Sequence, residues 1–165
     1  MRVLAIDPGY GRCGVAVLEK EKGDMHVVYS SCIETSAGQS FPERLARVAD
    51  ECTKLLKHYK PSCVAIERLY FSSNQKTAMH VAEVRGALIY VAALARIPVF
   101  EYTPAQVKSA ITGWGKTDKR GIADMLKKLL KIQKDILHDD EYDAIAIGLT
   151  HLAHEKNNSP NPKMR

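Results

Sequence analysis

Apolar runs closed by turn residues set the rhythm of this chain from its first residues. Val3-Leu4-Ala5-Ile6 follows Arg2 and stops at Asp7-Pro8-Gly9, which predicts a short buried strand and a turn. In that turn Pro8 presets φ and Gly9 tolerates a positive one. Tyr10 to Gly14 is glycine-rich and predicts a further turn. Val15-Ala16-Val17-Leu18 predicts a second strand, Glu19 to Asp24 a charged hairpin loop around Gly23, and Met25 to Ile33 a third strand. The chain thus opens as an antiparallel meander. It has neither the βαβ start nor the GxGxxG run of a dinucleotide-binding fold.

A helical period then takes over. Ser40 and Glu43 are spaced as a capping box, with Pro42 in the first turn. Leu45, Val48, Ala49, Cys52, Leu55, Leu56 and Tyr59 recur on one helical face until Pro61 ends the helix. Cys63-Val64-Ala65-Ile66 predicts a fourth strand, and it stops at Glu67, so an apolar run again delivers one carboxylate. Arg68 to Asn74 reads as a loop carrying Tyr70 and Phe71.

From about Gln75 to Arg96 the pattern predicts a long helix that is apolar or small almost all round. Val81, Val84, Leu88 and Val91 share one face. Such a helix must be covered on more than one side, by the sheet and then by either a partner subunit or other elements of this chain. Val99 to Tyr102 predicts a fifth strand. Thr103-Pro104-Ala105-Gln106 resembles another helix cap, opening a helix to about Ile111 that Gly113-Trp114-Gly115 breaks. Thr117 or Asp118 caps a helix whose apolar face is Ile122, Met125, Leu126, Leu129 and Leu130. His138 to Asp143 is an acidic helix start that runs into Ala144 to Leu149. No repeat and no second domain is visible; residues 1–155 form the expected domain and 156–165 a polar, disordered tail.

Composition narrows the class. A chain of 165 residues, 45% hydrophobic and 26% charged, suits one domain with a sizeable core. Lys and Arg total 24 against 19 Asp and Glu, with a pI near 9.0, which points to a polyanionic partner. Cys13, Cys32, Cys52 and Cys63 fall in no CxxC spacing, and three lie among apolar residues. Buried free thiols in a reducing cytosol are expected, rather than zinc ligands or disulfides. Asp7 interrupts the first apolar run too early for a signal peptide, and no stretch reads as long enough to span a bilayer. A soluble cytoplasmic protein without a membrane partner is expected.

The candidate chemistry is carboxylate chemistry. In open α/β sheets, sites gather at the carboxyl ends of strands, where Asp7 and Glu67 both fall. Acids in a first helical turn often serve only the helix dipole, which accounts for Asp139, Asp140 or Glu141 but less well for Asp143, further in. Asp143 shares a helical face with Asp140, three residues back, and with Asp139, four back; spacing does not choose between them. If that helix start meets the two strand ends, four carboxylates cluster. Like charges in one site raise one another's pKa unless cations intervene, and oxygen ligands without Cys or His select Mg²⁺ or Mn²⁺. Two such ions about 4 Å apart suit in-line phosphodiester hydrolysis. Lys108, Lys116, Lys119 and Arg120 surround the Trp114 loop, and Arg12 and Arg68 follow the two strand ends; singly each suits a solvated surface, together they suit phosphate contacts. Of Tyr70 and Phe71, one is expected in the core and the other free to stack on bases.

These residues carry a family resemblance. RVLAIDPG from Arg2 to Gly9, AIE from Ala65 to Glu67, VFEYTPAQVK from Val99 to Lys108 and DEYDAIAIGLT from Asp140 to Thr150 resemble the RuvC-type Holliday junction resolvases, in order and over nearly the whole chain. The resemblance implies an α/β protein of the RNase H-like fold, with a five-stranded mixed sheet flanked by helices. It implies a homodimer making paired Mg²⁺-dependent nicks at a four-way DNA junction, and a RuvA- and RuvB-type branch-migration partner. The family's acids fall on Asp7, Glu67, Asp140 and Asp143, its D-x-x-D-A pattern selecting Asp140 over Asp139. Its aromatic beyond the Glu falls on Tyr70, its lysines near the scissile phosphate on Lys108 and Lys119, and its dimer-forming helix on the one from Gln75. Trp114 departs from the family in being bulky. Three rivals remain at this stage: an actin-like ATPase lobe, which would need a second lobe; a related nuclease acting on RNA–DNA hybrid or duplex; and a junction-binding module without catalysis.

Overall fold

The computed structural model describes residues 1–69, 75–113 and 119–154, with the backbone alone for 75, 76, 119 and 120. Tyr70, Phe71, Trp114, Lys116 and the tail lie outside the described residues. Five strands, β1 (Arg2–Asp7), β2 (Arg12–Glu21), β3 (Asp24–Glu34), β4 (Cys63–Glu67) and β5 (Val99–Tyr102), form one sheet in the order β3-β2-β1-β4-β5. β1, β2 and β3 pair antiparallel, whereas β4 runs parallel to both β1 and β5. The helices are α1 (Phe41–Tyr59), α2 (Gln75–Leu94), α3 (Pro104–Thr112), α4 (Lys119–Leu130) and α5 (Asp139–His154).

Strand alternation sorts β1 and β4 between two cores. Val3, Ala5, Cys63 and Ala65 pack with α3, α4 and α5, whereas Leu4, Ile6, Val64 and Ile66 pack with α1 and α2. The same parity assigns Asp7 and Glu67 to the α5 side. Within that core His151, 1% exposed, bridges two strands: its Nδ1 hydrogen-bonds with the Tyr102 hydroxyl at 2.8 Å, and its Nε2 with Cys63 Sγ at 3.1 Å. All four cysteines are free, and Cys13, Cys52 and Cys63 are buried. Burial pushes the Cys52 thiol up to about 12.

Several expected boundaries need correction. β2 begins at Arg12, inside the expected turn, and the hairpin loop shrinks to Lys22-Gly23, both at positive φ, because Glu19, Lys20 and Glu21 pair with His26, Met25 and Asp24. That geometry matches the right-handed twist of a hairpin. Lys60, at φ 46, ends α1 before Pro61 is reached. Gly9 is not at positive φ; a side chain there would instead run into the carbonyl of Arg12. α2 stops at Leu94 rather than Arg96, and Leu129 of α4 is 56% exposed, off its helix's buried face. The expected caps form: Glu43 Oε2 accepts from the Ser40 backbone N–H at 2.8 Å, and Gln106 N–H donates to Thr103 Oγ1 at 3.2 Å. Against expectation, one stretch is long enough to span a bilayer. Thr77–Leu94 is long and apolar enough by composition, with mean hydropathy 1.2, because Glu83 and Arg85 are its only charges. Here it lies on the sheet through Val84, Leu88 and Ala92.

Candidate active site

β1 and β4 run side by side with Ile6 opposite Ile66, so the next residues along, Asp7 and Glu67, are neighbours at the carboxyl end of the sheet. Their side chains hydrogen-bond to each other. Burial first, then the Glu67 charge and that shared hydrogen bond, and then Asp143 and Asp140, hold the Asp7 carboxyl well above its usual range. The other three expected acids therefore all act on the Asp7 carboxyl.

α5 brings its two acids there by a close approach to β2. Gly14 lies opposite Asp7 in the β1–β2 pairing, and a Cβ on it would collide with the Asp140 carbonyl. The first turn of α5 can sit this low only over a glycine. A second anchor is Glu141, 4% exposed. It accepts from Ser30 Oγ at 2.6 Å and from Lys134 Nζ at 2.8 Å, and Lys134 also donates to the Ser30 carbonyl at 2.8 Å. Glu141, assigned by sequence only to the helix dipole, ties α5 to β3. Asp139 is exposed while Asp140 is partly buried.

A hollow of about 270 Å³ is lined by Glu67, Asp143 and Lys108, with Pro104, Val107 and Ile122 among its apolar walls. Lys108 thus joins the acids across β5 and α3. Lys119 opens α4, the helix that supplies Ile122. Arg12, expected as a phosphate contact, lies against the acids that open α5. Its Nε lies 3.0 Å from Asp140 Oδ2 and its Nη2 3.6 Å from Asp139 Oδ1. The first contact is an ion pair without hydrogen-bond alignment, since Asp140 Oδ2 is buried with no hydrogen-bond partner. Arg68 faces Glu101 at 4.0 Å. Sequence reasoning missed Arg85, which donates to the Glu67 carbonyl at 3.2 Å and pairs with Glu101 at 2.6 Å, fixing the end of β4. Its position in an apolar helix carried no signal of that role.

The donor set suits a hard divalent cation: four carboxylates, one with a buried, unbonded oxygen, and no thiol or imidazole among them. Among the described residues no group of three or more acidic, His or Cys side chains is already arranged to hold a metal ion.

A mixed five-stranded sheet with carboxylates at the ends of its first and fourth strands and on its last helix defines the RNase H-like class. The family model described as crossover junction endodeoxyribonuclease RuvC matches residues 3–151, and the chain belongs to this RuvC family. It is 41% identical to the RuvC of Brevibacillus brevis, over 92% of this chain and 91% of that protein, and 41% identical to that of Petrotoga mobilis, over 92% and 93%. Among solved structures, Thermus thermophilus RuvC in complex with a Holliday junction substrate superposes with a TM-score of 0.86 at 28% identity, covering 96% of this chain and 98% of that one. The yeast mitochondrial resolvase Ydc2, at 12% identity and a TM-score of 0.71, shares the fold.

Proposed function

We propose that this protein is an endonuclease that resolves four-way DNA junctions by paired, symmetric hydrolysis of phosphodiester bonds, as a homodimer in the cytoplasm. The observation that carries the reading is the convergence of Asp7, Glu67, Asp140 and Asp143 on one sheet end, with Lys108 in the same hollow, in a RuvC chain. The four acids would hold Mg²⁺, two ions per site, with Mn²⁺ as a substitute. When bound, such ions supply an activated water and charge neutralisation at the leaving oxygen. Asp7, in contact with Glu67, lies at the centre of the donor set. Asp140 and Asp143 enter from α5, one helical turn apart, on a helix start fixed by Gly14 and Glu141. Lys108 offers an ammonium to the phosphate beside Glu67; Lys116 and Lys119 are proposed as further phosphate contacts and Tyr70 as the base-stacking aromatic. Arg68, held near Glu101, contributes to the electrostatic approach of DNA.

The dimer reading rests on α2. Met79, Tyr90 and Leu94 expose 64%, 63% and 66% of their surfaces on a helix whose other side is packed, and two copies would present two sites to opposed strands. A branch-migration complex of the RuvA and RuvB type is the proposed partner. The test offers a synthetic four-way junction, linear duplex and RNA–DNA hybrid to the protein with Mg²⁺. Symmetric nicks on the junction are expected, abolished in Asp7→Asn while junction binding persists. Equal cutting of the hybrid rejects the junction reading, and binding without cutting in the wild type leaves a binding module.

A further inference from the structure

A second hollow, of about 410 Å³, shares no lining residue with the one at Lys108. Its walls are the Pro8-to-Arg12 turn, Arg44 of α1, Thr77 and Val81 of α2, and Asp140 itself. Arg44 is held there by two contacts, one of them braced by a third residue pair. Its Nε donates to Thr35 Oγ1 at 2.8 Å, and Thr35 Oγ1 donates in turn to the Tyr10 carbonyl, which fixes the hydroxyl as an acceptor for Arg44. Its guanidinium carbon lies 4.6 Å from the centre of the Tyr10 ring. That ring is itself wedged edge-on against Phe41 and His80, with centroids 5.9 and 5.1 Å away.

Among the described residues no carboxylate oxygen lies within 4.0 Å of the Arg44 guanidinium. Arg2, Arg12, Arg68 and Arg85 each have one, on Glu19, Asp139 with Asp140, Glu101 and Glu101. A guanidinium fixed through Nε and one face keeps its two terminal nitrogens for a planar, bidentate anion contact, and the entropy of ordering the side chain is already spent. Asp140 in the wall would repel an anion, but Arg12 stands against it. The hollow is continuous with the Asp7-Pro8-Gly9 turn that leads from the candidate active site.

We infer that this hollow seats a backbone phosphodiester of the DNA strand flanking the cleavage point, with Arg44 as its fixed bidentate donor. The inference rests on the nucleic-acid reading above. A free phosphate or nucleotide shares the chemistry, and the commitment to backbone comes from the adjacency to Asp7 and Asp140.

The test measures junction binding in EDTA, where metal contacts are absent, for the wild type, Arg44→Gln, Arg44→Lys and Thr35→Val, with melting temperatures as a folding check. Arg44→Gln is expected to weaken binding about tenfold and to reduce the slope of log affinity against log salt by roughly 0.9. Lysine, which keeps the charge and loses the fork, and Thr35→Val are each expected to cost about threefold. The deciding arm replaces single phosphates near the cleavage point by uncharged methylphosphonates. One position should cost the wild type about tenfold and cost Arg44→Gln nothing further. Identical scans for the two proteins, or unchanged binding by Arg44→Gln, overturn the assignment of Arg44 while leaving the proposed function intact. Competition by free phosphate or a mononucleotide at millimolar levels, with no position-specific effect in the scan, assigns the hollow to a small anion and overturns the backbone reading. If the wild type favours duplex over junction, the same scan on duplex still tests Arg44. A wild type that binds no nucleic acid overturns both.

Discussion

Asp7 sits in its site at a cost to the fold, because its carboxyl is buried and then crowded by three others. Its raised pKa means that the native state binds a proton more tightly than the unfolded chain, whose Asp titrates near about 4. Stability from this group is complete below that value and is lost as pH rises through the raised native pKa. At pH 7.5 without divalent metal, Asp7→Asn should therefore melt higher than the wild type, on the order of 3 °C for a chain of this size. The gap should narrow as pH falls toward 4, and again when Mg²⁺ is added to the wild type. Differential scanning fluorimetry in EDTA and in Mg²⁺ checks this without any DNA. A lower melting temperature for Asp7→Asn at pH 7.5 would mean that its contact with Glu67 stabilises the fold.

At the scale of elements, the position of α5 decides whether the acids meet. Gly14 leaves room for the Asp140 carbonyl, and Glu141 bonds back to Ser30 and Lys134. Gly14→Ala should lift the first turn of α5 off β2, with a loss of roughly 1–3 kcal/mol from overpacking. Cleavage should fall by more than junction affinity, since Asp140 and Asp143 move while Lys108 and Arg44 do not. Urea titration and parallel binding and cleavage assays separate the two effects; equal losses in binding and cleavage would contradict this account. The elements differ in how readable they were. Asp7 alone could have been no more than a turn residue, and it was the repetition at Glu67, again the first charge after an apolar run, that made the strand ends legible as a pair. The capping boxes at Ser40 and Thr103 are local chemistry and equally plain. Gly14, Arg44, Arg85 and Glu141 gave no such signal. Their roles are contacts to Asp140, Thr35, Glu67 and Ser30, and in three of the four the partner is too far along the chain for any local pattern to join them.

At the scale of the whole molecule, α2 presents an apolar surface that the described residues leave uncovered. If it pairs two copies, the double substitution Tyr90→Glu and Leu94→Glu should yield monomers by sedimentation velocity at micromolar concentration. Because both residues are exposed, the melting temperature of the fold itself should change little. The paired character of cutting should be lost before single nicking is. A double variant that remains dimeric places the interface elsewhere. The sequence pattern had left open whether this chain or a partner covers the helix, since periodicity records which faces are apolar and not what lies over them.

The burial of α5 has a further consequence, for the lifetime of the site. Ala144 to Leu152 are all buried, in a helix packed between β1, β2 and β3 on one side and α3 and α4 on the other. Backbone amides in such a helix exchange with solvent only when most of the domain opens. Two of the four acids ride on this element, so a frayed or half-folded chain holds no assembled acid cluster. Cutting capacity and native hydrogen-exchange protection should disappear together, and the cell is spared a nuclease that outlives its own specificity.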